Sequence, residues 1–350
     1  AGLELHPAVE MQIAPPGDVI TFTQRLRSTG EIATDTVTIA AEGGAWTRSI
    51  SPTMAVIGPC ESVTVTVAVT VPPGAGWNVR DAMTLTAQSA LSPSVRATSA
   101  LTTKTPAAVL LVDDHRWYDW SAFYDEALTR IGVPHDVLRV NLNGPPTPVT
   151  LARLLWHRQV VWFTGYDWYD PISAADEAAL SVYLDQGGRL FLSSPFYLDI
   201  MGLDAFARNR LGVFSYNDSM ATSLAYGAVE SPIGNGLGRM TLINPYPTAA
   251  FFTLAGALDP SQEATTALRG SWDRALAVQQ AGPISRTVFM VTPFEALSSE
   301  DAPRTMQRIV GWLGWLGDST LAADREAGLA GDRLTFTLTA RHNGLAPIQA

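Results

Sequence analysis

Apolar and polar residues alternate through the first hundred residues of the chain. The clearest run is Ser62–Val71, in which five valines occupy every second position. A period of two predicts a strand with one buried face. Pro72–Gly74 ends it, because proline lacks the N–H that a β-ladder requires. Shorter runs of the same kind predict strands at Val19–Arg27, Thr34–Ala40, Ala45–Ile50, Ala82–Ser89 and Val95–Leu101. This spacing predicts an all-β sandwich over residues 1–105.

The pattern changes after Pro106. Val109–Val112 is a continuous apolar run, typical of a strand buried on both faces of a parallel sheet. Ser121–Gly132 then places apolar residues at helical spacing and ends on a glycine suited to a C-cap. The alternation continues with strands at His135–Val140, Gln159–Thr164, Arg189–Ser193 and Thr287–Val291, and helices at Ser173–Gln186 and Ala302–Leu316. It predicts a doubly wound α/β domain over residues 106–317, with residues 214–286 as an insertion or an antiparallel edge.

The end of the chain repeats a motif from its beginning. Gly331–Thr337 has the same Gly-Asp start and the same alternation with threonine as Gly17–Thr23. We therefore predict the start of a second β-sandwich over residues 318–350. Its apolar stripe of Leu334, Phe336 and Leu338 belongs to too few strands to be buried alone. We expect these residues to act in assembly, pairing with other domains of the same precursor or with a neighbouring subunit by strand addition.

Composition and charge narrow the classes of partner. The net charge is −10 and Lys104 is the only lysine, so no basic face is expected to bind nucleic acid. The single cysteine, Cys60, excludes an internal disulfide and a cysteine-based zinc site. No apolar run approaches the ~20 residues of a membrane-spanning helix.

The first hundred residues resemble the Ig-like repeat domains found along large secreted bacterial surface proteins. The similarity is carried by Pro16–Thr23, Ser28–Gly30 and the Val/Thr strand that closes on Val71–Gly74. It implies an extracellular or cell-surface location. It also implies a structural or adhesive role. The incomplete repeat at residues 331–343 predicts a segment or processed form of a larger protein, and strand addition between subunits would make a polymeric assembly.

Four runs of the second domain are similar to the class I glutamine amidotransferase-like fold, a flavodoxin-like α/β domain: Val109–Asp114, Val161–Gly165, Tyr183–Ser193 and Phe289–Glu295. Active members carry a cysteine nucleophile on the turn after the third strand and a later His-x-Glu pair. Here Tyr166 follows Gly165, and no histidine precedes Glu295 in that run. The resemblance therefore implies a domain without the thiol mechanism, and we expect no amidotransferase activity.

The loops after the predicted parallel strands are rich in aromatic and acidic residues. Ligands of open α/β sheets bind beyond the carboxyl ends of the strands, so these loops are judged together. The candidate ligand-binding residues are Asp113, Asp114, His115, Trp117, Tyr118, Tyr166, Asp167, Trp168 and Tyr169. Aromatic faces beside carboxylates suit sugar rings, so glycans are a candidate ligand. Packing against the sandwich or another subunit is the alternative.

Two further chemistries are open to these loops. Calcium would require oxygen ligands from Asp113, Asp114, Asp167 and Asp170. No Asp-x-Asp-x-Asp-Gly loop supports such a site, and helix capping competes for these side chains, so no cofactor is expected.

A hydrolytic triad would need Ser193 or Ser194 with His115 and Asp113, but the Gly-x-Ser-x-Gly elbow is absent. The sequence thus favours a non-catalytic structural or adhesive module. A hydrolase and an accessory region of a secreted peptidase are the alternatives.

Overall fold

The computed structural model describes residues 2–31, 33–140, 149–217, 222–247, 256–314, 316–323 and 335–342. Contacts divide the chain into two compact units, Ala1–Ala107 and Ala108–Ala350. Within the described residues, no helix combines the length and apolarity needed to cross a membrane.

The first unit is a two-sheet, Ig-like β-sandwich, which confirms the prediction for this region. Its strands are β1 Leu3–His6, β2 Val9–Ile13, β3 Val19–Ser28, β4 Asp35–Gly43, β5 Thr47–Ser51, β6 Met54–Ile57, β7 Ser62–Thr70, β8 Arg80–Ser89 and β9 Arg96–Lys104. One sheet has the order β1-β3-β7-β5 and the other β2-β9-β8-β4-β6.

The valine run forms the centre of the sandwich core. Val65, Val67 and Val69 of β7 are fully buried, as are Phe22 and Leu26 of the neighbouring strand β3. Burying each of these large side chains contributes about 1.5–3 kcal/mol. The two-residue period therefore fixes which face of β7 points inward, since a register slip of one residue would expose every valine.

The second unit is built on one large sheet. Its strands are β10 Val109–Asp113, β11 His135–Arg139, β12 Gln159–Phe163, β13 Arg189–Ser193, β14 Val213–Asn217, β15 Leu224–Gly227, β16 Arg239–Thr241, β17 Ala257–Pro260, β18 Ala264–Arg269, β19 Ala275–Ala281 and β20 Arg286–Met290. Its helices are α1 Ser121–Arg130, α2 Leu151–Leu154, α3 Ala174–Asp185, α4 Tyr197–Met201, α5 Ala205–Asn209 and α6 Asp301–Leu313. Three of these helices have only four or five residues.

The prediction of a doubly wound, flavodoxin-like α/β domain is wrong. Within the described residues, the sheet is mixed and has 11 strands, running β11-β10-β12-β13-β20-β19-β18-β15-β16, with β14 and β17 joined at the side. Among the described strands of this sheet, the parallel pairs are those of β10, β11, β12, β13 and β20. From β19 onward the pairing is antiparallel.

The error has a physical cause. A continuous apolar run such as Val109–Val112 indicates a strand that is buried on both faces. It does not indicate whether the next strand pairs with it in parallel or antiparallel. Residues 256–290 pass directly from strand to strand, with β18, β19 and β20 consecutive and antiparallel. The chain is therefore mainly β-structure, with few helices to cover the sheet.

Two strands follow α6, β21 Leu316–Ala323 and β22 Phe336–His342, and they pair antiparallel. Their register places Leu338 opposite Leu321 and Phe336 opposite Ala323. Leu334 lies outside the described residues. The assembly role of Leu334, Phe336 and Leu338 stays a prediction.

Candidate functional site

The predicted site residues follow the carboxyl ends of neighbouring parallel strands. Asp113 ends β10, and its register partner Phe163 ends β12. Gly165 just beyond has a φ of +56°, a conformation that favours glycine. A Cβ at this position would lie 3.4 Å from the Cβ of His115. Glycine therefore lets the β12 loop turn close against the β10 loop.

Asp113 and His115 form a buried pair beneath this edge. The His115 Nδ1 and Asp113 Oδ1 atoms are 2.5 Å apart, and both residues are at most 5% exposed. Burial alone would lower the pKa of His115, but the hydrogen bond and the negative charge of Asp113 outweigh it and raise the pKa. Arg139 Nε lies 3.5 Å from the other Asp113 oxygen. The buried pair is thus linked to the exposed guanidinium of Arg139.

Glu295 is a second buried acid at this edge. The Tyr124 hydroxyl donates to Glu295 Oε2 at 2.6 Å, and the Tyr246 hydroxyl donates to Oε1. Burial raises the pKa of Glu295, while the two phenol hydrogen bonds oppose that rise. The Tyr246 ring lies 5.3 Å from Tyr118 and 5.0 Å from Tyr166, centre to centre. Glu295 therefore anchors a tyrosine that supports two of the predicted site residues.

The two strand-end serines have other partners. Ser193 Oγ accepts a hydrogen bond from the Phe294 amide at 3.1 Å. Ser194 Oγ and Thr164 Oγ1 are 2.8 Å apart. In the described part of the chain neither serine is hydrogen-bonded to His115, so the geometry lacks the central contact of a hydrolytic triad.

The aromatic residues of the two loops form one cluster, the aromatic rim, which comprises Trp117, Tyr118, Tyr166, Trp168 and Tyr169. Trp117 and Trp168 are stacked with ring centres 5.3 Å apart and planes 13° from parallel. Tyr166 forms T-shaped ring pairs with Trp117 and Tyr118, with ring centres 6.2 and 5.5 Å apart. Trp117, Trp168 and Tyr169 are 47%, 50% and 66% exposed. The rim is an exposed apolar surface.

Arg116 and Asp167 hold the rim together. The Arg116 guanidinium carbon lies over the rings of Trp117 and Tyr169, at 5.6 and 5.0 Å. Its Nε donates to Asp167 Oδ2 at 3.0 Å. Asp167 Oδ1 in turn accepts from the amides of Tyr169 and Asp170, at 2.9 and 3.1 Å. Asp167 is fully buried, so this ion pair ties the two loops to each other.

The carboxylates of the four aspartates suggested as calcium ligands do not form a common site. The carboxylate of Asp167 is already hydrogen-bonded to Arg116 and to the backbone amides of Tyr169 and Asp170. Asp114 Oδ2 accepts a hydrogen bond from the Trp162 indole N–H at 3.0 Å. Burial raises the pKa of Asp114 well above its usual range, which favours the neutral acid. Asp113, His115 and Asp119 do bring one potential ligand atom each within 4.8 Å of one another. The nearby Arg139 guanidinium already supplies positive charge there.

Two residues of the site were missed by the sequence reasoning. Arg116 lies between predicted residues, and a cation beside Trp117 was a usable signal. Tyr246 lies far along the chain from the rim loops, and no local pattern could have identified it. Glu295 was noted in the run Phe289–Glu295, but its contacts with Tyr124 and Tyr246 were not expected.

A half-buried carboxyl, Glu177, joins three helices of the second unit. The Tyr197 hydroxyl of α4 donates to Glu177 Oε1 of α3 at 2.8 Å, and lies 3.4 Å from Asp204 Oδ1, at the N-cap of α5. Burial is the main cause that raises the pKa of Glu177 to about 7, and the nearby Asp204 and Asp176 carboxyls add to it.

The Glu177→Gln variant should be more stable than the wild type at high pH. The raised pKa means that the folded wild type binds a proton that the unfolded chain releases, so its free energy of unfolding falls between pH 5 and 8. Glutamine keeps the acceptor for Tyr197 without the charge, and we expect it to be the more stable by about 1 kcal/mol at pH 8, allowing for screening by solvent. Urea unfolding at both pH values measures this, with the exposed Glu263→Gln as control. Equal pH dependence in wild type and Glu177→Gln would contradict it.

Comparisons with known proteins give limited likenesses. No family model matches the chain, and no curated protein matches it. Among solved structures, it is similar to the N-terminal domain of mmIFT52, with 12% identity over 58% of this chain and 96% of that one, and a TM-score of 0.43. A putative GMP synthase protein from Thermoplasma acidophilum has 10% identity over 59% and 93%, with a TM-score of 0.41.

The chain is also similar to the CupB2 chaperone of Pseudomonas aeruginosa. The match has 12% identity over 29% of this chain and 54% of that chain, with a TM-score of 0.24. At these identities and TM-scores the likenesses carry no functional argument.

Proposed function

We propose that this chain is a non-catalytic binding module whose aromatic rim binds carbohydrate. The observation that carries the proposal is the stacked, half-exposed pair of Trp117 and Trp168. A cluster of exposed aromatic side chains is typical of an interaction site. The flat C–H face of a sugar ring suits an indole face of this kind.

The rim is preorganised for such a ligand. The ion pair between Arg116 and Asp167 and the backbone hydrogen bonds to Asp167 fix the loops before any ligand arrives. Preorganisation reduces the conformational entropy lost on binding. The exposed carboxylate of Asp170 and the terminal N–H groups of Arg116 provide partners for sugar hydroxyls beside the rings.

Several observations favour binding over catalysis. His115 and Glu295 are at most 5% exposed, and Tyr166 stands where the resemblance would place a nucleophile. The Ig-like sandwich provides a spacer for a surface protein. In this proposal the chain is an extracellular structural or adhesive module, and other domains of its precursor or neighbouring subunits are further partners.

Trp168→Ala should weaken glycan binding by about tenfold to thirtyfold, the usual cost of losing a central tryptophan. A glycan array on the full chain identifies the ligand, and calorimetric titration measures the affinity. Trp272→Ala is the matched control, because Trp272 is 86% exposed in the β18–β19 turn and belongs to no part of the rim. Absence of any glycan ligand, or equal weakening in both variants, would contradict the proposal.

A further inference from the structure

The strand β6, Met54–Ile57, forms one edge of the sandwich. It lies at the end of the sheet order β2-β9-β8-β4-β6 and pairs antiparallel with β4. The Ile39 amide of β4 donates to the Thr53 carbonyl at 2.8 Å, in the same register, so these two residues are a hydrogen-bonded pair. Hydrogen-bonded and non-hydrogen-bonded pairs alternate in such a ladder. The backbone N–H and C=O groups of Met54 and Val56 therefore point away from β4, toward the open edge.

The side chains along this edge are apolar. Met54 and Val56 are 63% and 70% exposed, and both lie on the outer face of the sheet. Their neighbours on β4, Thr38 and Thr36, carry no charge. The edge thus presents two large apolar side chains beside backbone groups to which a further strand can bond.

The other three edges of the sandwich are different. In the described part of the chain these are β1, β2 and β5, at the remaining ends of the two sheets. Each contains a charged residue, Glu4 in β1, Glu10 in β2 and Arg48 in β5. Charged residues on an edge strand oppose pairing with a strand of another chain. Because β6 lacks such a residue, it is the sandwich edge best suited to association.

We propose that β6 pairs antiparallel with β6 of a second copy of this chain, about a two-fold axis at Ala55. Such a contact places Met54 of each copy opposite Val56 of the other, so that their backbone groups exchange hydrogen bonds. The two side chains then meet on the outer face as cross-strand neighbours. The strand pairs with itself in a register that matches apolar with apolar residues, which identifies a second copy as the partner. Each chain has a net charge of −10, and the contact adds no further repulsion because β6 is uncharged.

The contact is small, because each strand has four residues. Interfaces that bury less than about 1,200 Å² are typical of weak, transient association, so we expect a dimer that dissociates on dilution. Sedimentation velocity of the full chain over a range of concentrations measures dimerisation, and amide hydrogen exchange locates it. The Met54 and Val56 amides should be at least about tenfold better protected in the dimer than in the monomer.

Val56→Lys places a positive charge on both sides of the contact and should weaken dimerisation at least about tenfold. The variant should fold, because the side chain of Val56 is 70% exposed. Val9→Lys is the matched control, since Val9 is 73% exposed on β2 at the opposite end of the same sheet. This second variant should leave dimerisation unchanged.

A chain that stays monomeric up to about 1 mM would overturn the proposal, because a contact weaker than that has little specific affinity. The same holds for a dimer in which the Met54 and Val56 amides gain no protection, a dimer that Val56→Lys leaves unchanged, or one that Val9→Lys weakens equally. Should Val56→Lys fail to fold, Met54→Lys replaces it, and unchanged dimerisation in that variant would overturn the proposal in the same way.

Discussion

Replacing Phe163 by alanine is expected to lower the free energy of unfolding of the second unit by about 3–5 kcal/mol. Phe163 ends β12 and is fully buried. Its ring is stacked on Tyr124 at 4.0 Å, and the Tyr124 hydroxyl holds Glu295. The truncation leaves a cavity beneath the rim and removes the packing that positions this buried acid.

Urea unfolding of the full chain, followed by tryptophan fluorescence, measures the loss for Phe163→Ala. Phe214→Ala is the control, because Phe214 is 66% exposed on β14 and its loss should change the free energy by less than about 0.5 kcal/mol. Similar small effects in both variants would contradict the packing described for Phe163.

Gly227→Ala is expected to destabilise the second unit by about 3 kcal/mol, at the upper end of the range for overpacking. A Cβ at Gly227 would lie 1.9 Å from the backbone oxygen of Gly234 and 2.8 Å from the Cβ of Leu237. The obstruction is backbone, so a rotamer change cannot relieve it. β15 must instead move away from the segment that packs over it.

The control for this backbone contact is Gly238→Ala. No heavy atom lies within 4 Å of a Cβ built at Gly238. Alanine there should leave stability unchanged or raise it slightly, because it restricts the unfolded chain. Thermal unfolding of both variants measures the difference, and the melting temperature of Gly227→Ala should be the lower. Equal melting temperatures would show that the approach of Gly227 to Gly234 is not tight.

The sandwich was predictable because its signal is local. The alternation in Ser62–Val71 indicates which face of the strand is buried. Phe22 on the paired strand β3 is buried in the same core. The second unit was harder. Its apolar runs mark buried strands, yet pairing direction depends on connections far along the chain, and β19 runs antiparallel to β20.

The candidate site shows the same division. Trp117 and Trp168 lie 51 positions apart, and they stack because β10 and β12 are parallel neighbours. Strand order could be anticipated well enough to group their loops. The position of Tyr246 beneath them could not, because it lies between β16 and β17, in the antiparallel part of the fold. Glu295 follows the parallel strand β20, yet its hydrogen bond with Tyr246 depends on that same part of the fold.

The most direct test of carbohydrate binding at the rim is the response of the tryptophan indole N–H resonances when a glycan selected on the array is titrated into the full chain. The signals of Trp117 and Trp168 should shift together and saturate with one dissociation constant, while that of Trp272 stays in place. A glycan that saturates the protein and leaves the Trp117 and Trp168 signals unchanged would contradict binding at the rim.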